Sequence, residues 1–316
     1  MKYTIPGHHH ISMITKNAGR NNRFYRDILG LRRVKVTVNQ DEPSMYHLFY
    51  GDKTGSPGTE LTFFEIPAAG RTHRGTNAIT RIGLLVPSTE SLAYWKNRFA
   101  EYGVYHGELA TYANRPALHF EDHEGLRLVL QAANGEKLDF WQTWEKSSVP
   151  AEHQILGIGS VEITVRRPEK LAATLTELFG YAEVRRTDDE AIFQSVEGEV
   201  FGEIVVKSLD GPPERAGRGS IHHLAIRARN DEELKYWEAQ VKARGFHSSG
   251  IIDRHYFKSL YFRESNGILF EIATDGPGFL ADSDIDTLGE RLELPPVLES
   301  RRAEIERELT PLDEYE

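Results

Sequence analysis

A chain of 316 residues is long enough for two domains of ordinary size, and its net charge of −10 disfavours nucleic acid and anionic membranes as partners. The composition is that of a globular protein, and no apolar run approaches the roughly 18–20 residues that a membrane span needs. Cysteine is absent, which excludes disulfides, thiolate nucleophiles and cysteine metal ligands and agrees with an expected cytoplasmic location.

Four segments of the chain repeat one order of elements: a short strand, an amphipathic helix ending at glycine, and three further strands. They begin at or near Gly7, Ala78, Gly157 and Gly219. Glycine after the last helical turn is the expected left-handed cap, and Gly30 and Gly180 each lie 23 residues after the start of their repeat. Repeats one and three therefore form one matching pair.

Repeats two and four form the other pair, because Arg81 and Trp95 are separated by 14 residues, as are His223 and Trp237. A βαβββ unit cannot bury the face of its sheet alone. The sequence therefore predicts an α+β fold, in which four βαβββ modules pair into two cup-shaped mixed β-sheets with the helices outside.

The boundary between the two halves is predicted at residues 147–152 (SSVPAE, preceded by charged residues). We expect an N-terminal domain at residues 1–147, with modules one and two, and a C-terminal domain at 151–281, with modules three and four. Residues 282–316 form a charged tail with a predicted helix at 298–308. That helix, or an exposed sheet edge, is the candidate surface for a homodimer.

Equivalent positions of the repeats differ in their capacity to bind a metal. On the opening strand, His10 of repeat one corresponds to His223 of repeat four, and the closing strand of repeat four carries Glu271. The matching positions of repeats two and three hold Arg81, Ser160 and Val129. Two histidines and one carboxylate, with further positions open, are the facial triad of Fe(II) and Mn(II) oxygen chemistry.

Strand alternation indicates which of the neighbouring histidines point the same way. His10 and Ser12 share the more polar, cup-facing side of the first strand, and His223 has the same side in repeat four. His9 and His222 fall on the opposite, more apolar face, where we expect supporting or packing histidines. A lone strand histidine is more often structural, so the prediction depends on the pattern occurring twice.

Several stretches resemble one known family, although none is specific by itself. They are residues 8–11 (HHHI), 22–31 (NRFYRDILGL), 46–52 (YHLFYGD), 221–225 (IHHLA) and 270–279 (FEIATDGPGF). Taken together, residues 1–280 resemble the glyoxalase/bleomycin-resistance/extradiol-dioxygenase superfamily, with its vicinal oxygen chelate fold. Within it, the chain resembles bacterial ring-cleaving dioxygenases that act on hydroquinones.

The resemblance implies that His10, His223 and Glu271 bind the metal and that modules one and four share the active cup. Modules two and three would then form a cup without ligands. Family members place an arginine and a tyrosine beside the metal, and Arg254 and Tyr261 stand at the matching positions.

The activity implied is metal-dependent opening of a hydroquinone- or catechol-type ring, with a small aromatic and dioxygen as substrates. Arg254 would stabilise the charge of a deprotonated substrate, and Tyr261 or His222 would act as acid–base partner or supporting residue. His255 and Tyr256 are further candidates. Fe(II) is the expected metal and Mn(II) the alternative, because both accept this ligand set.

Other functions remain open on the sequence. A glyoxalase-type isomerase with Ni or Zn would use a second carboxylate, which Glu65 could supply. Aligning the Phe-Glu-Ile triplets makes Glu65 the counterpart of Glu271, whereas counting from Gly58 puts Thr62 there. A non-catalytic small-molecule binder and a purely structural metal are the remaining alternatives.

The substrate is not determined by the sequence, because the residues that line a cup depend on how the sheet curls. Aromatic side chains are the natural candidates for the wall of such a site, although most aromatic residues in sheets belong to the core. The candidates are Phe24, Phe193, Phe257 and Phe262.

Overall fold

Each of the four repeats folds as a strand, a helical segment and three further strands. The computed structural model describes residues 2–312. The first repeat contains β1 (His8–Thr15), α1 (Ala18–Asn22, continued as a π-helical segment at Arg23–Ile28), β2 (Arg32–Val38), β3 (Tyr46–Gly51) and β4 (Glu60–Glu65). The second contains β5 (Ala78–Val86), α2 (Thr89–Tyr102), β6 (His106–Tyr112), β7 (Arg115–Glu121) and β8 (Arg127–Ala132).

The second half of the chain repeats this order. The third repeat contains β9 (Gly157–Val165), α3 (Pro168–Ala173, continued as a π-helical segment at Thr174–Leu178), β10 (Ala182–Arg186), β11 (Glu190–Gln194) and β12 (Glu203–Ser208). The fourth contains β13 (Ile221–Ala228), α4 (Asp231–Ala243), β14 (Ser248–Asp253), β15 (Lys258–Arg263) and β16 (Leu269–Thr274). No helix among residues 2–312 is long and apolar enough to cross a membrane.

The helices α2 and α4 show why the repeats fold alike. The side chains of Ser88 and Asn230 accept hydrogen bonds from the first backbone N–H groups, so each helix begins with a polar cap. Trp95 and Trp237, which the 14-residue spacing relates, are both fully buried against the sheets. Helix α2 ends at Gly103, whose φ of +66° is the predicted left-handed cap.

The sixteen strands form two mixed sheets of eight strands. The first sheet has the order β14-β15-β16-β13-β1-β4-β3-β2, and the second has the order β10-β11-β12-β9-β5-β8-β7-β6. The predicted α+β architecture is confirmed, and modules one and four share the first sheet. Each sheet contains strands from both sides of the boundary predicted at 147–152. The division into domains 1–147 and 151–281 therefore stays a prediction about the order of modules along the chain.

The second sheet fills its own concave face with side chains. Arg81 pairs with Glu162 across β5 and β9, and its guanidinium donates to that carboxylate at 3.1 Å. The hydroxyl of Tyr112 donates to the same carboxylate, and Val129 is packed in a small apolar cluster beside it. Arg81 and Val129 occupy the positions that hold a histidine and Glu271 in the first sheet. In the second sheet they are therefore part of an ionic and apolar core.

The tail packs against the main apolar core and contacts β2 of the first sheet. Lys35 of β2 is fully buried and forms ion pairs with Asp282 and Glu293 of the tail. The predicted helix 298–308 begins with a 3-10 turn at Glu299–Arg301 and continues as α5 (Arg302–Glu308). Residues 313–316 of the predicted tail lie outside the described part of the chain.

Candidate functional site

Three side chains from the centre of the first sheet converge on one point. The Nε2 atoms of His10 and His223 lie 3.4 Å apart, and they lie 3.2 and 2.8 Å from Oε2 of Glu271. All three residues are almost completely buried, with exposed fractions of 3% or less. The structure thus brings together the three residues that the repeat comparison singled out.

Strand pairing explains the convergence. β1 and β13 are antiparallel at the middle of the sheet, where Ser12 pairs with His223 and His10 pairs with Ala225. β16 runs parallel to β13, and Glu271 pairs with Ala225. Residues that alternate along neighbouring strands point to the same face, so the histidines and the carboxylate meet above the concave side.

A β-bulge lies beside each of the two central histidines. The β1–β13 register skips His9 between its first two pairs and skips His222 between its last two. Bulges re-aim side chains, and both residues turn toward their neighbour. The Nδ1 atoms of His9 and His10 are 2.9 Å apart, and those of His222 and His223 are 2.8 Å apart.

The tautomers of the first pair follow from a backbone carbonyl. Nε2 of His9 lies 3.0 Å from the carbonyl oxygen of Thr274, which only accepts, so this nitrogen carries the hydrogen. Burial lowers the pKa of His9 to about 3, and the ring is neutral. His9 Nδ1 therefore accepts from Nδ1–H of His10, which leaves a lone pair on His10 Nε2 facing Glu271.

Glu271 is held as a carboxylate. Burial by itself would raise its pKa, whereas protonated, donating imidazoles at His10 and His223 would hold the pKa of Glu271 well below its usual range, a role that a cation takes when both rings are neutral. The hydroxyl of Ser259 donates to Oε1, which fixes the group from the other side. Burial lowers the pKa of His223 despite the carboxylate beside it.

The donor set fits a divalent cation. With the lone pair of His10 Nε2 directed at Glu271 Oε2, two acceptors face each other, and Oε2 has no hydrogen bond among the described residues. A bound cation removes this conflict, and two imidazoles with a carboxylate are ligands for Fe(II) or Mn(II). A second cluster of His9, His10 and Glu60 is less suited, because burial raises the pKa of Glu60 well above its usual value.

A cavity of about 340 Å³ opens above these three residues. Ser12, predicted on the cup-facing side, lines it, and His222 lines it as well, although strand alternation placed His222 on the opposite face. That expectation fails because the bulge turns the side chain. The wall is otherwise mainly aromatic and aliphatic, which suits a single-ring substrate.

Arg254 and Tyr261 lie together on one wall of the cavity. The guanidinium carbon of Arg254 is 5.5 Å from the ring centroid of Tyr261, and Tyr261 pairs directly with Glu271 across β15 and β16. Burial raises the pKa of Tyr261 well above its ordinary value, with Glu271 adding to the effect, so the phenol keeps its proton. A salt bridge of 3.2 Å joins Arg254 to Asp41 at the mouth.

The next two residues along the chain, His255 and Tyr256, differ in whether they reach the cavity. Tyr256 lines the cavity, and its hydroxyl donates to Asp282 of the tail at 3.0 Å. His255 does not line the cavity, because its left-handed backbone, with φ of +73°, turns the ring toward Asp282. The structure therefore does not bring His255 to the site.

Glu65 also lies away from the cavity. Its carboxylate accepts a hydrogen bond of 2.8 Å from the backbone N–H of Ala18, and its strand position pairs with Thr15. The residue equivalent to Glu271 is Thr62, because Thr62 pairs with Ser12 as Glu271 pairs with Ala225. Of the two registers left open by the sequence, the one counted from Gly58 is correct.

Only one of the four predicted wall aromatics reaches the cavity. Phe257 lines the cavity and lies 5.2 Å, centroid to centroid, from the rings of His9 and His10. The other three candidates pack in the main apolar core instead, and they are Phe24, Phe193 and Phe262. Those three predictions were wrong because the core between helices and sheets also requires aromatic side chains: Phe24 lies on the helical segment after α1, and Phe193 and Phe262 lie on strands.

The sequence reasoning missed several wall residues, among them His47 and Phe49 of β3 and Phe64 of β4. Their alternation in 46–52 and 60–65 was the available signal. His47 Nε2 lies 3.1 Å from Oγ1 of Thr62, which in turn lies 2.7 Å from Oγ of Ser12.

Comparison with known proteins adds to this geometry. Residues 7–130 and 157–272 match the family described as "Glyoxalase/Bleomycin resistance protein/Dioxygenase superfamily". The chain is 49% identical over 314 residues to "Putative ring-cleaving dioxygenase MhqA" of Bacillus subtilis, covering 98% of this chain and 99% of that protein. It is 26% identical over 312 residues to "Chlorohydroquinone/hydroquinone 1,2-dioxygenase" of Sphingobium indicum, covering 96% and 95%. A crystal structure of a "putative dioxygenase" from Bacillus subtilis superposes with a TM-score of 0.91 at 33% identity, covering 98% of each chain.

Proposed function

Because the chain belongs to the glyoxalase/bleomycin resistance protein/dioxygenase superfamily, we propose that it is a metal-dependent dioxygenase that cleaves the ring of a hydroquinone- or catechol-type aromatic. The observation that carries the proposal is the convergence of His10, His223 and Glu271 at the floor of a cavity of single-ring size. The names of the relatives agree with this activity.

The proposed metal ligands are the Nε2 atoms of His10 and His223 and a carboxylate oxygen of Glu271. Fe(II) is the proposed metal and Mn(II) the alternative, because a facial set of two histidines and a carboxylate suits both. When bound, the metal would supply Lewis acidity that favours the deprotonated form of a phenolic substrate and would bring that substrate and dioxygen together.

His9 and His222 act as positioning residues. Each accepts a hydrogen bond from Nδ1–H of the neighbouring ligand, which fixes the ring of that ligand and keeps its Nε2 lone pair directed at the metal. Partial burial, together with His223, lowers the pKa of His222 to about 4, so its ring is neutral at neutral pH. With Nδ1 occupied as acceptor, His222 presents Nε2–H to the cavity.

Arg254 and Tyr261 act on the substrate. The guanidinium stands on the wall beside the metal-binding atoms, where it stabilises the negative oxygen of a substrate that has lost its proton. Tyr261 keeps its own proton and donates a hydrogen bond to the same region. Both side chains are held in place: Arg254 forms a salt bridge with Asp41, and the backbone of Tyr261 is paired with that of Glu271 in the sheet.

The isomerase alternative with Glu65 as a fourth ligand has no support in the geometry, because Glu65 is engaged with Ala18. The non-catalytic alternative differs from our proposal in predicting no turnover. A cytoplasmic location and a homodimer remain predictions of the sequence.

The test is anaerobic loading with Fe(II), or with Mn(II) in parallel, followed by oxygen-uptake measurements on a panel of hydroquinones and catechols. We expect uptake with at least one class and ring-opened products by mass spectrometry. Glu271→Gln should lose the metal and the uptake, whereas the matched control Glu203→Gln, a buried glutamate of the second sheet, should keep both. Bound metal with no uptake on any compound would overturn the proposal.

A further inference from the structure

The turn at residues 254–257 carries three side chains into the wall of the cavity and lies at the edge of the first sheet. It joins β14 to β15, and no strand lies beyond β14 in the part of the sheet formed by residues 2–312. Arg254, Tyr256 and Phe257 line the cavity, and the ring of Phe257 lies 5.2 Å from that of His10, centroid to centroid. A turn at a sheet edge lacks the support of a further strand, so its position depends on what packs against it.

One carboxylate of the tail holds this turn. The hydroxyl of Tyr256 donates to Oδ2 of Asp282 at 3.0 Å, and Nε2 of His255 lies 3.3 Å from the same oxygen. Burial raises the pKa of Tyr256, with Asp282 adding to the effect, so the phenol keeps its proton and donates. The backbone N–H of Gly278, just before the tail, also donates to the carbonyl oxygen of Tyr256 at 2.8 Å. The turn is therefore fastened to residues 278–282.

The other oxygen of Asp282 contacts the opposite edge of the same sheet. Oδ1 accepts from Nζ of Lys35 at 2.9 Å, and Lys35 belongs to β2, which ends the strand order that β14 begins. The Lys35 side chain is completely buried, and its ammonium lies 4.5 Å from the centroid of the Tyr256 ring. Partial burial by itself would raise the pKa of Asp282, but Lys35 holds that pKa below its ordinary value. Asp282 is therefore a carboxylate at neutral pH, and a buried ammonium binds such a partner strongly.

We propose that Asp282 is a positioning residue, which joins Lys35 on one edge of the first sheet to Tyr256 at the other and thereby holds Arg254 in the cavity wall. This inference rests on the proposed function, because that function gives Arg254 its role in the reaction. The three proposed metal ligands lie on β1, β13 and β16 in the middle of the sheet, whereas Asp282 joins its edges. Loss of the Asp282 carboxylate should therefore loosen the turn and leave metal binding unchanged.

Hydrogen exchange tests the proposal without metal or turnover. The backbone N–H of Arg254 donates to the carbonyl oxygen of Phe257 at 2.9 Å, and Asp282→Ala should raise its exchange rate about tenfold or more. The matched control is Glu293→Ala, because Glu293 also pairs with Lys35 but has no hydrogen bond or ion pair with residues 254–257 among the described contacts. Exchange in the control should match that of the wild type. Tyr256→Phe removes only the hydroxyl and should act as Asp282→Ala does, which keeps the test open if the alanine variant does not fold.

Kinetics of the metal-loaded enzyme give the second measurement. Asp282→Ala should lower kcat about tenfold and leave the affinity for Fe(II) within about twofold of wild type, whereas Glu293→Ala should change kcat less than about twofold. In the Arg254→Met background, Asp282→Ala should cost less than about twofold more, since its effect passes through Arg254.

Three results would overturn the inference: unchanged exchange in both Asp282→Ala and Tyr256→Phe, an equal rise in Glu293→Ala, or full additivity of Asp282→Ala with Arg254→Met. The absence of oxygen uptake by the wild type on every compound would instead count against the proposed function. The exchange rates would still show whether Asp282 holds the turn.

Discussion

Thr62 and Glu271 occupy equivalent positions in the two halves of the first sheet, and only Glu271 carries a carboxylate. Thr62 pairs with Ser12 of β1 in the same way as Glu271 pairs with Ala225 of β13. Each is also contacted from the next strand outward, by His47 and Ser259 respectively. The first sheet thus brings together two histidines and one carboxylate, and in the proposed function this set leaves room on the metal for substrate and dioxygen.

Replacing Thr62 should therefore separate the two reaction types. Thr62→Glu places a second carboxylate opposite Glu271, so the protein should keep its metal and lose at least about tenfold in oxygen uptake relative to Thr62→Gln. The glutamine variant has the same size without the charge. Metal content by elemental analysis and uptake by oxygen electrode are the measurements, and equal uptake in the two variants would contradict the expectation.

The histidine pairs should affect metal affinity. His222→Phe removes the acceptor for Nδ1–H of His223, so the affinity for Fe(II) or Mn(II) should fall about 10- to 100-fold. Competition with a chelator measures this directly. His247→Phe, at an exposed position that does not line the cavity, is the control and should bind metal as the wild type does.

Loss of the Arg254 charge should lower kcat far more than loss of the ion pair between Arg254 and Asp41. Arg254→Met keeps the approximate length of the side chain but removes the charge that faces the cavity, so, if Arg254 has its proposed role, kcat should fall about 100-fold or more. Asp41→Asn breaks the salt bridge at the mouth, where Asp41 is largely exposed, and should change kcat less than about threefold. Comparable losses in the two variants would show that the ion pair, and not the cation, is what the reaction requires.

Asp122 should make stability depend on pH. Burial raises its pKa to about 6, above the ordinary 3.8, although backbone N–H groups and the hydroxyl of Tyr25 donate to the carboxylate. Between these two values the folded protein binds more protons at this position than the unfolded chain, so the contribution of Asp122 to stability falls as pH rises from about 4 to 6.

The measurement is denaturant unfolding of the wild type and Asp122→Asn at several pH values. The wild type should lose up to about 3 kcal/mol relative to the variant across that interval. The exposed Asp188→Asn is the control and should show no such difference. A constant difference between wild type and Asp122→Asn from pH 4 to 6 would refute the assignment.

The sequence by itself determined the repeats and the residue types at the site. Helix caps and strand alternation are local properties that can be recognised in a sequence. Together with the equal spacings of 23 and 14 residues, they identified the βαβββ modules. They also directed attention to His10, His223 and Glu271, which the structure brings together. The substitution of Arg81 for a histidine in the second module was equally visible, because it needs only the comparison of equivalent positions.

Register and curvature were decided only by the tertiary structure. Glu65 and Thr62 could not be distinguished from sequence, since the choice depends on how β4 pairs with β1 and not on either strand alone. The bulges at His9 and His222 exist only in the pairing of two distant strands, and they turn His222 into the cavity. His47 was missed for the same reason: the cavity wall exists only once the sheet curls and brings residues of β3 and β15 around His10, His223 and Glu271.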